Sequence, residues 1–332
     1  MSSPRELLRS RDMGAHDGMD ARDWAAPPGA GVDAWADGAA YVDGTVVPVR
    51  EARIPVTDWA YRRSDVTYDV VSVWGGAFFR LDDHLRRFGA SMEALRMRPA
   101  EDEAALRAVL HDLVRRSGLR EAYVAMDCLR GSPPPGQPRH PAFARSYLVC
   151  LAVPWVSVIT PEVQARGAHL ITAATPRIPE ACVDPRVKNF HWGDMTAALF
   201  EAHDRGADNA VLLDLDGNLA EGPGFNVFTV TDGRVATPDR GALEGITRLS
   251  VMELCEELGL ACEVRPIPVA EFREADEIFL ATTAGGVMPA SRIDGRIMGN
   301  DRPGPVSARL RELFWEKREA GWHATPVDYD GH

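Results

Sequence analysis

Two lysines stand out in this chain of 332 residues, because its other cationic positions are all arginine. Of the 37 lysines and arginines, only Lys188 and Lys317 are lysines. An arginine stays protonated, whereas a lysine amine can lose its proton and condense with a carbonyl group. Lys317 lies in a charge-rich stretch, residues 308–321, which predicts a solvated helix. Lys188 lies between an apolar segment and a helix start and is the candidate reactive amine, with chance retention as the alternative.

A second candidate is the carboxylate of Glu221, in the stretch Leu-Ala-Glu-Gly-Pro-Gly-Phe-Asn of residues 219–226. A carboxylate beside a glycine turn can pair with a pyridinium nitrogen and keep it protonated, so that the ring accepts electrons. The alternative is an ordinary glutamate in a surface turn.

Two segments have the composition of a phosphate site. Residues 245–248, Gly-Ile-Thr-Arg, open a predicted helix, and a helix N-terminus offers free N–H groups and a favourable dipole. Residues 282–286, Thr-Thr-Ala-Gly-Gly, follow a predicted strand and offer hydroxyl groups and close backbone approach. Arg80 is a candidate for a charge-assisted contact to phosphate, with a surface ion pair to Asp82 or Asp83 as the alternative.

Other catalytic classes lack their motifs. Residues 222–224 form a Gly-Pro-Gly fragment, but the third glycine of a dinucleotide fingerprint is missing, and no phosphate-binding loop of the G-x-x-x-x-G-K-[ST] type occurs. The G-x-S-x-G elbow of a hydrolase is also absent. No His/Cys cluster has zinc spacing, so no metal site is predicted. A non-catalytic anion-binding protein is disfavoured because the lysine and the glutamate are both present.

Hydrophobic patterning predicts a mixed α/β (α+β) fold with several antiparallel hairpins. Hairpins are expected at residues 41–47, with a turn at Asp43-Gly44, and at 66–79, with a turn at Gly75-Gly76. Further strands are expected at 121–129, 146–153, 168–174, 210–215, 225–231 and 277–281. Helices are expected at 83–95, 106–114 (stopped by Gly118), 195–206 and 251–258. We expect a mobile N-terminal arm (1–35), a small N-terminal domain (36–153), a linker (154–161) and a larger C-terminal domain (162–332). The Pro/Gly-rich loop 131–141 is expected at the active site, at an interface or as a free tip.

The composition limits which binding partners and which cellular compartment are expected. The net charge of -12 disfavours a nucleic acid or an anionic membrane as the main partner. No apolar run reaches the roughly 20 residues of a spanning helix, and no signal peptide is evident. The five cysteines form no C-x-x-C motif and are expected to be reduced in the cytoplasm.

Taken together, the arginine, the lysine, the glutamate and the two phosphate segments resemble the fold-type IV pyridoxal-phosphate enzymes. These include branched-chain aminotransferases, D-amino-acid transaminases, aminodeoxychorismate lyases and (R)-selective amine transaminases. The resemblance covers residues 39–329. It is closest to the (R)-selective amine transaminases, through residues 187–194 (Val-Lys-Asn-Phe-His-Trp-Gly-Asp), 220–226 and 64–68. A Gly-Gly-Asn-Tyr-like stretch, frequent after the lysine of branched-chain enzymes, is absent.

The resemblance implies a small α/β domain and a larger pseudo-barrel domain in a homodimer, with pyridoxal 5'-phosphate as cofactor. It implies a transaminase that moves an amino group from an (R)-amine or D-amino acid to a 2-keto acid such as pyruvate. A branched-chain or D-amino-acid aminotransferase, or a lyase of the same fold, is the alternative. Lys188 would form the Schiff base and shuttle the proton, and Glu221 would bind the ring nitrogen. The implied phosphate ligands are Arg80, Ile246, Thr247 and Thr283, and the implied substrate contacts are Tyr68, Val70, Tyr123, Arg139, Trp192, Thr282 and Ala284.

Three positions depart from the pattern of the amine transaminases. Arg62 and Arg63 stand where those enzymes have a small or neutral residue or a histidine. Arg63 is therefore a candidate contact for a substrate carboxylate, with exposure to solvent or a pair with Asp65 as the alternative. Ala125 stands where some of those enzymes have an acidic pocket residue, which leaves the amine specificity open.

Overall fold

The computed structural model describes residues 33–331. The predicted mobile arm, residues 1–35, lies outside the described residues apart from its last three. The helices are α1 (Trp59–Arg63), α2 (Leu81–Ala94), α3 (Glu103–Ser117), α4 (Pro161–Arg166), α5 (Gly193–Asp204), α6 (Ile246–Glu257), α7 (Val269–Glu274) and α8 (Pro305–Glu319). The strands are β1 (Ala39–Val42), β2 (Thr45–Pro48), β3 (Val66–Trp74), β4 (Ala77–Phe79), β5 (Ala122–Leu129), β6 (Tyr147–Pro154), β7 (Ala168–Thr172), β8 (Asn209–Val211), β9 (Asn226–Thr231), β10 (Arg234–Thr237), β11 (Cys262–Val264), β12 (Glu277–Thr282), β13 (Gly286–Ile293), β14 (Arg296–Ile297) and β15 (Ala324–Pro326). The predicted mixed α+β class is confirmed.

The first sheet has seven antiparallel strands in the order β15-β4-β3-β5-β6-β1-β2. Its predicted β1–β2 hairpin turns at Asp43 and Gly44, which have φ values of 45° and 91°, as a tight turn between twisted strands requires. The C-terminal strand β15 pairs with β4, so the end of the chain returns to this first sheet.

Two amphipathic helices, α2 and α3, contribute to the core of the first sheet. On α3 the buried side chains are Leu106, Leu110, Leu113 and Val114, as the sequence periodicity predicts. The Asp102 carboxylate accepts a 2.8 Å hydrogen bond from the Ala105 N–H and so begins α3. This packing holds α2, and thereby its arginines, in a fixed orientation.

The second sheet is mixed, in the order β11-β10-β9-β12-β13-β7-β8, with β14 paired to β13. Its predicted strand at residues 210–215 is shorter than expected and ends at Val211, because the chain then turns back to pair Leu213 with Leu219. Strand β13 was not predicted, since Pro289 and the lack of alternation disguise it. A register shift beside Ala290 accommodates this irregular strand.

The segment between β7 and α5 contacts the first sheet. An isolated antiparallel bridge joins Thr67 on β3 to Asn189, the neighbour of Lys188. None of the helices within residues 33–331 combines the length and the apolar composition needed to cross a membrane.

Candidate active site

Lys188 belongs to the second half of the chain, but the first sheet and α2 hold its backbone. The Lys188 carbonyl accepts hydrogen bonds from the Tyr68 N–H at 3.2 Å and from the Thr67 hydroxyl at 2.6 Å. The Ser91 hydroxyl on α2 accepts a bond of 3.4 Å from the Lys188 N–H. These contacts fix where the lysine side chain enters the space between the two halves.

The Lys188 side chain enters a cavity of about 280 Å³. Its amine lies 4.3 Å from the centre of the Tyr68 ring. Burial, aided by the charge of Arg87, lowers the pKa of Lys188 to about 8, and the charges of Asp69 and Glu221 oppose the shift. A substantial fraction of this amine is therefore neutral near pH 8 and available as a nucleophile or base.

Glu221 lines the same cavity and is only 5% exposed. One carboxylate oxygen accepts a bond of 3.1 Å from Arg177 Nε, and the other accepts one of 3.0 Å from the Leu243 N–H. Burial raises the pKa of Glu221, although Arg177 and the Leu243 N–H oppose that rise. The Asp194 carboxylate accepts a bond of 2.7 Å from Arg177 in turn, so the Arg177 guanidinium lies buried between two carboxylates.

The N-terminus of α6 opens onto the cavity. Ile246 and Thr247 line it, and Gly245 precedes them without any side-chain cap. The first N–H groups of the helix are therefore free to bind an anion, and the helix dipole favours negative charge there. A Cβ atom at Gly245 would lie 1.9 Å from Asn226 Oδ1, so only glycine permits this close approach.

Arg87 on α2 is the cation that lines the cavity beside this helix end. Its Nε and Nη2 donate hydrogen bonds of 2.7 Å to the two oxygens of Asp69, and its Nη1 donates one of 3.0 Å to the Glu244 carbonyl. Burial opposes ionisation of Asp69, but Arg87 and His84 outweigh that effect and hold the pKa of Asp69 well below its usual value. The guanidinium of Arg87 is thus anchored next to the first residues of α6.

Arg80, the arginine expected at the phosphate site, does not line the cavity. Its Nε donates to Asp83 at 2.6 Å, and its Nη1 contacts Ser250 at 3.2 Å and Glu253 at 2.8 Å. Ser250 and Glu253 lie in later turns of α6, whereas Arg87 reaches the residue before its first turn. Arg87 lies seven positions after Arg80, about 10 Å along a helix, and this offset decides which of them faces the cavity.

The other predicted residues divide into two groups. Those that line the cavity, besides Lys188 and Glu221, are Tyr68, Val70, Tyr123, Trp192, Ile246, Thr247, Thr282, Thr283 and Ala284. Arg63 and Arg139 do not line it. The Arg63 guanidinium lies 3.9 Å from the centre of the Trp59 ring, and Arg139 is exposed on the loop between β5 and β6.

Sequence reasoning missed Arg87, Arg177 and Asp194. One signal for Arg87 was available, because residues 84 and 87 are three positions apart and therefore lie on one face of the predicted helix. Arg177 had no comparable signal, since 44 residues separate it from Glu221.

The sequence that carries these groups matches a known protein family. The sequence profile described as amino-transferase class IV matches residues 67–293, well over half of the chain. The chain belongs to this family. Its matched region contains Lys188, Glu221 and the start of α6.

Several similar proteins are named branched-chain aminotransferases. The branched-chain-amino-acid aminotransferase of Pseudomonas aeruginosa is 29% identical, over 84% of this chain and 92% of that protein. The T.th. branched-chain amino acid aminotransferase, solved with pyridoxamine 5'-phosphate, is 32% identical with a TM-score of 0.81, covering 88% of this chain and 99% of that one. The same enzyme complexed with N-(5'-phosphopyridoxyl)-L-glutamate gives 31% identity, a TM-score of 0.80 and the same coverage. The Thermobaculum terrenum enzyme in its PLP form is 28% identical, with a TM-score of 0.79 and coverage of 88% and 99%.

Proposed function

We propose that this class IV aminotransferase uses pyridoxal 5'-phosphate to move amino groups between amino acids with apolar side chains and 2-keto acids. The observation that carries the proposal is the shared cavity of Lys188, Glu221 and the uncapped start of α6. One amine, one acid and one anion site are the three groups that a phosphorylated pyridine aldehyde requires. The cofactor forms bound in the similar structures support this assignment.

The residues present fit that cofactor. Lys188 would hold the aldehyde carbon, and Glu221 would face the ring nitrogen. Arg87 and the N–H groups of Ile246 and Thr247 would hold the phosphate, with Thr283 beside them. Arg87 replaces Arg80 in this proposal because only Arg87 lines the cavity.

When bound, the cofactor supplies an electron sink for a carbon that loses its proton. Lys188 moves that proton: an amine of pKa about 8 both accepts and releases a proton near neutral pH. Glu221 keeps the ring nitrogen protonated, and Arg177 orients Glu221 and favours its ionised form. The apolar walls, including Val70 and Trp192, exclude water from the reacting carbon.

The amino donor is the finer part of the proposal. The similar proteins named above support a branched-chain-type amino acid rather than the (R)-amine or D-amino acid implied by residues 187–194. A panel of L-leucine, D-alanine and (R)-1-phenylethylamine with one keto acid separates the three. We expect L-leucine to react fastest. A lyase of the same fold would release keto acid without any acceptor, so dependence on the acceptor excludes it.

A homodimer is also part of the proposal. Two exposed apolar side chains, Val156 at 47% and Phe190 at 42%, lie at or next to the cavity, and such a surface favours burial by a second copy. Sedimentation of the purified protein tests this point.

Borohydride reduction followed by peptide mapping tests the central assignment. We expect the cofactor to become fixed to Lys188 and to no other residue. Lys188→Ala should lose visible absorbance and transamination. The matched control is Lys317→Ala, because Lys317 pairs with Glu257 on the surface, away from the cavity. A colourless Lys188→Ala protein that still transaminates would contradict the proposal.

A further inference from the structure

Asp127 lies on the strand wall next to the cavity but has no role in the steps above. It stands on β5 directly opposite Tyr68 on β3. Residues alternate along a strand, so Asp127 shares its face with Ala125 and with Tyr123, which lines the cavity. Ala125 packs against Tyr68 and Val70 on this same face. Cβ atoms of directly opposed residues on antiparallel strands are about 5 Å apart, which places Asp127 beside Tyr68.

One oxygen of the Asp127 carboxylate lacks a partner within the described part of the chain. That oxygen, Oδ1, is buried and has no hydrogen-bond partner there, a condition shared only with Thr231 Oγ1. Two other acids at the site do have cationic partners, because Arg87 binds Asp69 and Arg177 binds Glu221. Leaving a buried carboxylate oxygen unpaired is costly.

The charge of Asp127 reaches the cavity wall. Burial is the main cause of the raised pKa of the Tyr68 and Tyr123 hydroxyls, and Asp127 raises the pKa of both further. Burial also raises the pKa of Asp127 itself to about 7, so a considerable fraction is ionised at neutral pH. The electrostatic field of this acid therefore acts where a substrate side chain would contact the two tyrosines.

Among residues 33–331, each cation that lines the cavity is already engaged and does not offset that field. The cationic side chains that line the cavity in residues 33–331 are Arg87, Arg177 and Lys188. Arg87 is bound to Asp69, Arg177 to Glu221 and Asp194, and Lys188 is the reactive amine. A second carboxylate, on a substrate side chain that contacts Tyr68 and Tyr123, would therefore face the charge of Asp127 without a compensating partner.

We propose that Asp127 is a specificity-determining residue that excludes substrates with a second carboxylate, so that the enzyme takes monocarboxylate amino and keto acids. The inference rests on the proposed transaminase function and names its substrate class. It separates this chain from the T.th. enzyme, whose structure contains an L-glutamate adduct. The dicarboxylate is rejected because Asp127 places a like charge against its second carboxylate, and not because the monocarboxylate gains additional contacts.

The test compares two acceptors that differ by a carboxylate, 2-oxoglutarate and 4-methyl-2-oxovalerate, with one amino donor. Wild type is expected to favour 4-methyl-2-oxovalerate in kcat/KM. Asp127→Asn keeps the shape and removes the charge, and should shift the ratio toward 2-oxoglutarate about tenfold. Asp127→Ser should shift it in the same direction. The control is Asp216→Asn, which removes the same charge from an exposed Asp-Gly turn and should leave the ratio unchanged.

Binding of glutarate and of 4-methylvalerate to the holoenzyme gives a second readout that does not need turnover. The holoenzyme of Asp127→Asn should bind glutarate about tenfold more tightly relative to 4-methylvalerate. If both ratios stay within about twofold of wild type in the two folded variants, the specificity role is excluded. If wild type transfers no amino group between any donor and acceptor, the proposed function fails instead. The relative affinities of the two acids would still decide the role of Asp127.

Discussion

Arg177 Nε donates a hydrogen bond of 3.1 Å to Glu221 Oε1, and both side chains are more than nine-tenths buried. Asp194 holds the other side of the guanidinium at 2.7 Å. The arginine therefore decides the position of the glutamate and opposes the effect of burial on its pKa. Arg177 is a positioning residue, since it acts through Glu221.

Removing this guanidinium should affect both stability and cofactor binding. In Arg177→Met, Glu221 and Asp194 become buried acids without a cation, which costs about 3–5 kcal/mol in the free energy of unfolding. The pKa of Glu221 should rise further, so the neutral acid binds the protonated ring nitrogen less well. Urea unfolding and an absorbance titration against pH measure the two effects. Arg309→Met, on an exposed helix face, is the control. If the cofactor spectra of the folded variant match those of wild type between pH 6 and 9, Arg177 has a packing role and does not act through Glu221.

Arg80, which precedes α2, and Arg87, within α2, should respond differently to substitution. Arg87→Met should weaken binding of pyridoxal phosphate roughly a hundredfold, because a charge-assisted phosphate contact is lost. Binding of pyridoxal, which lacks phosphate, should change much less. Arg80→Met loses contacts to Asp83, Ser250 and Glu253, so it should lower the unfolding temperature while the preference for the phosphorylated form stays near wild type. Fluorescence titration of each apoprotein with both compounds measures this, and the opposite pattern would restore Arg80 to the phosphate site.

The covalent capture of the cofactor should depend on pH through Lys188. Only the neutral amine attacks an aldehyde, and the pKa of Lys188 is lowered to about 8. Below that pH the neutral fraction rises tenfold per unit, and above it the fraction levels off. The rate constant for appearance of the bound chromophore in apoprotein should follow this curve. A rate that keeps rising through pH 10 would show that the amine keeps the pKa of an ordinary exposed lysine.

Gly245 should tolerate no side chain. In Gly245→Ala the new Cβ would lie 1.9 Å from Asn226 Oδ1, which also displaces the start of α6. We expect a loss of about 1–3 kcal/mol in stability together with weaker cofactor binding. Gly89→Ala is a matched control within α2, where an added Cβ meets no atom within 4 Å. It should stabilise the helix by about 0.5–1 kcal/mol. Equal melting temperatures for the two variants would refute the steric argument.

Much of the local structure follows from sequence periodicity and turn residues. The hairpin at Asp43 and Gly44, and the apolar face of α3 ended by Gly118, depend on neighbours only a few positions away. Such patterns act within one turn or one hairpin, so they can be recognised from the local sequence without the rest of the chain. Strand β13 was missed because pairing on both sides, and not its own alternation, makes it a strand.

The sequence by itself determined the chemical groups of the site: a lysine among arginines, a glutamate beside glycines and a glycine-led helix start. The tertiary structure decided that these groups meet in one cavity and that Arg87, rather than Arg80, lines it. Which arginine reaches the start of α6 depends on how α2 is rotated and packed against the first sheet. The partnership of Arg177 with Glu221, and the unpaired Asp127 opposite Tyr68, likewise arise from contacts between distant segments. Charges interact through space, and only the packed fold establishes which of them are close and shielded from water.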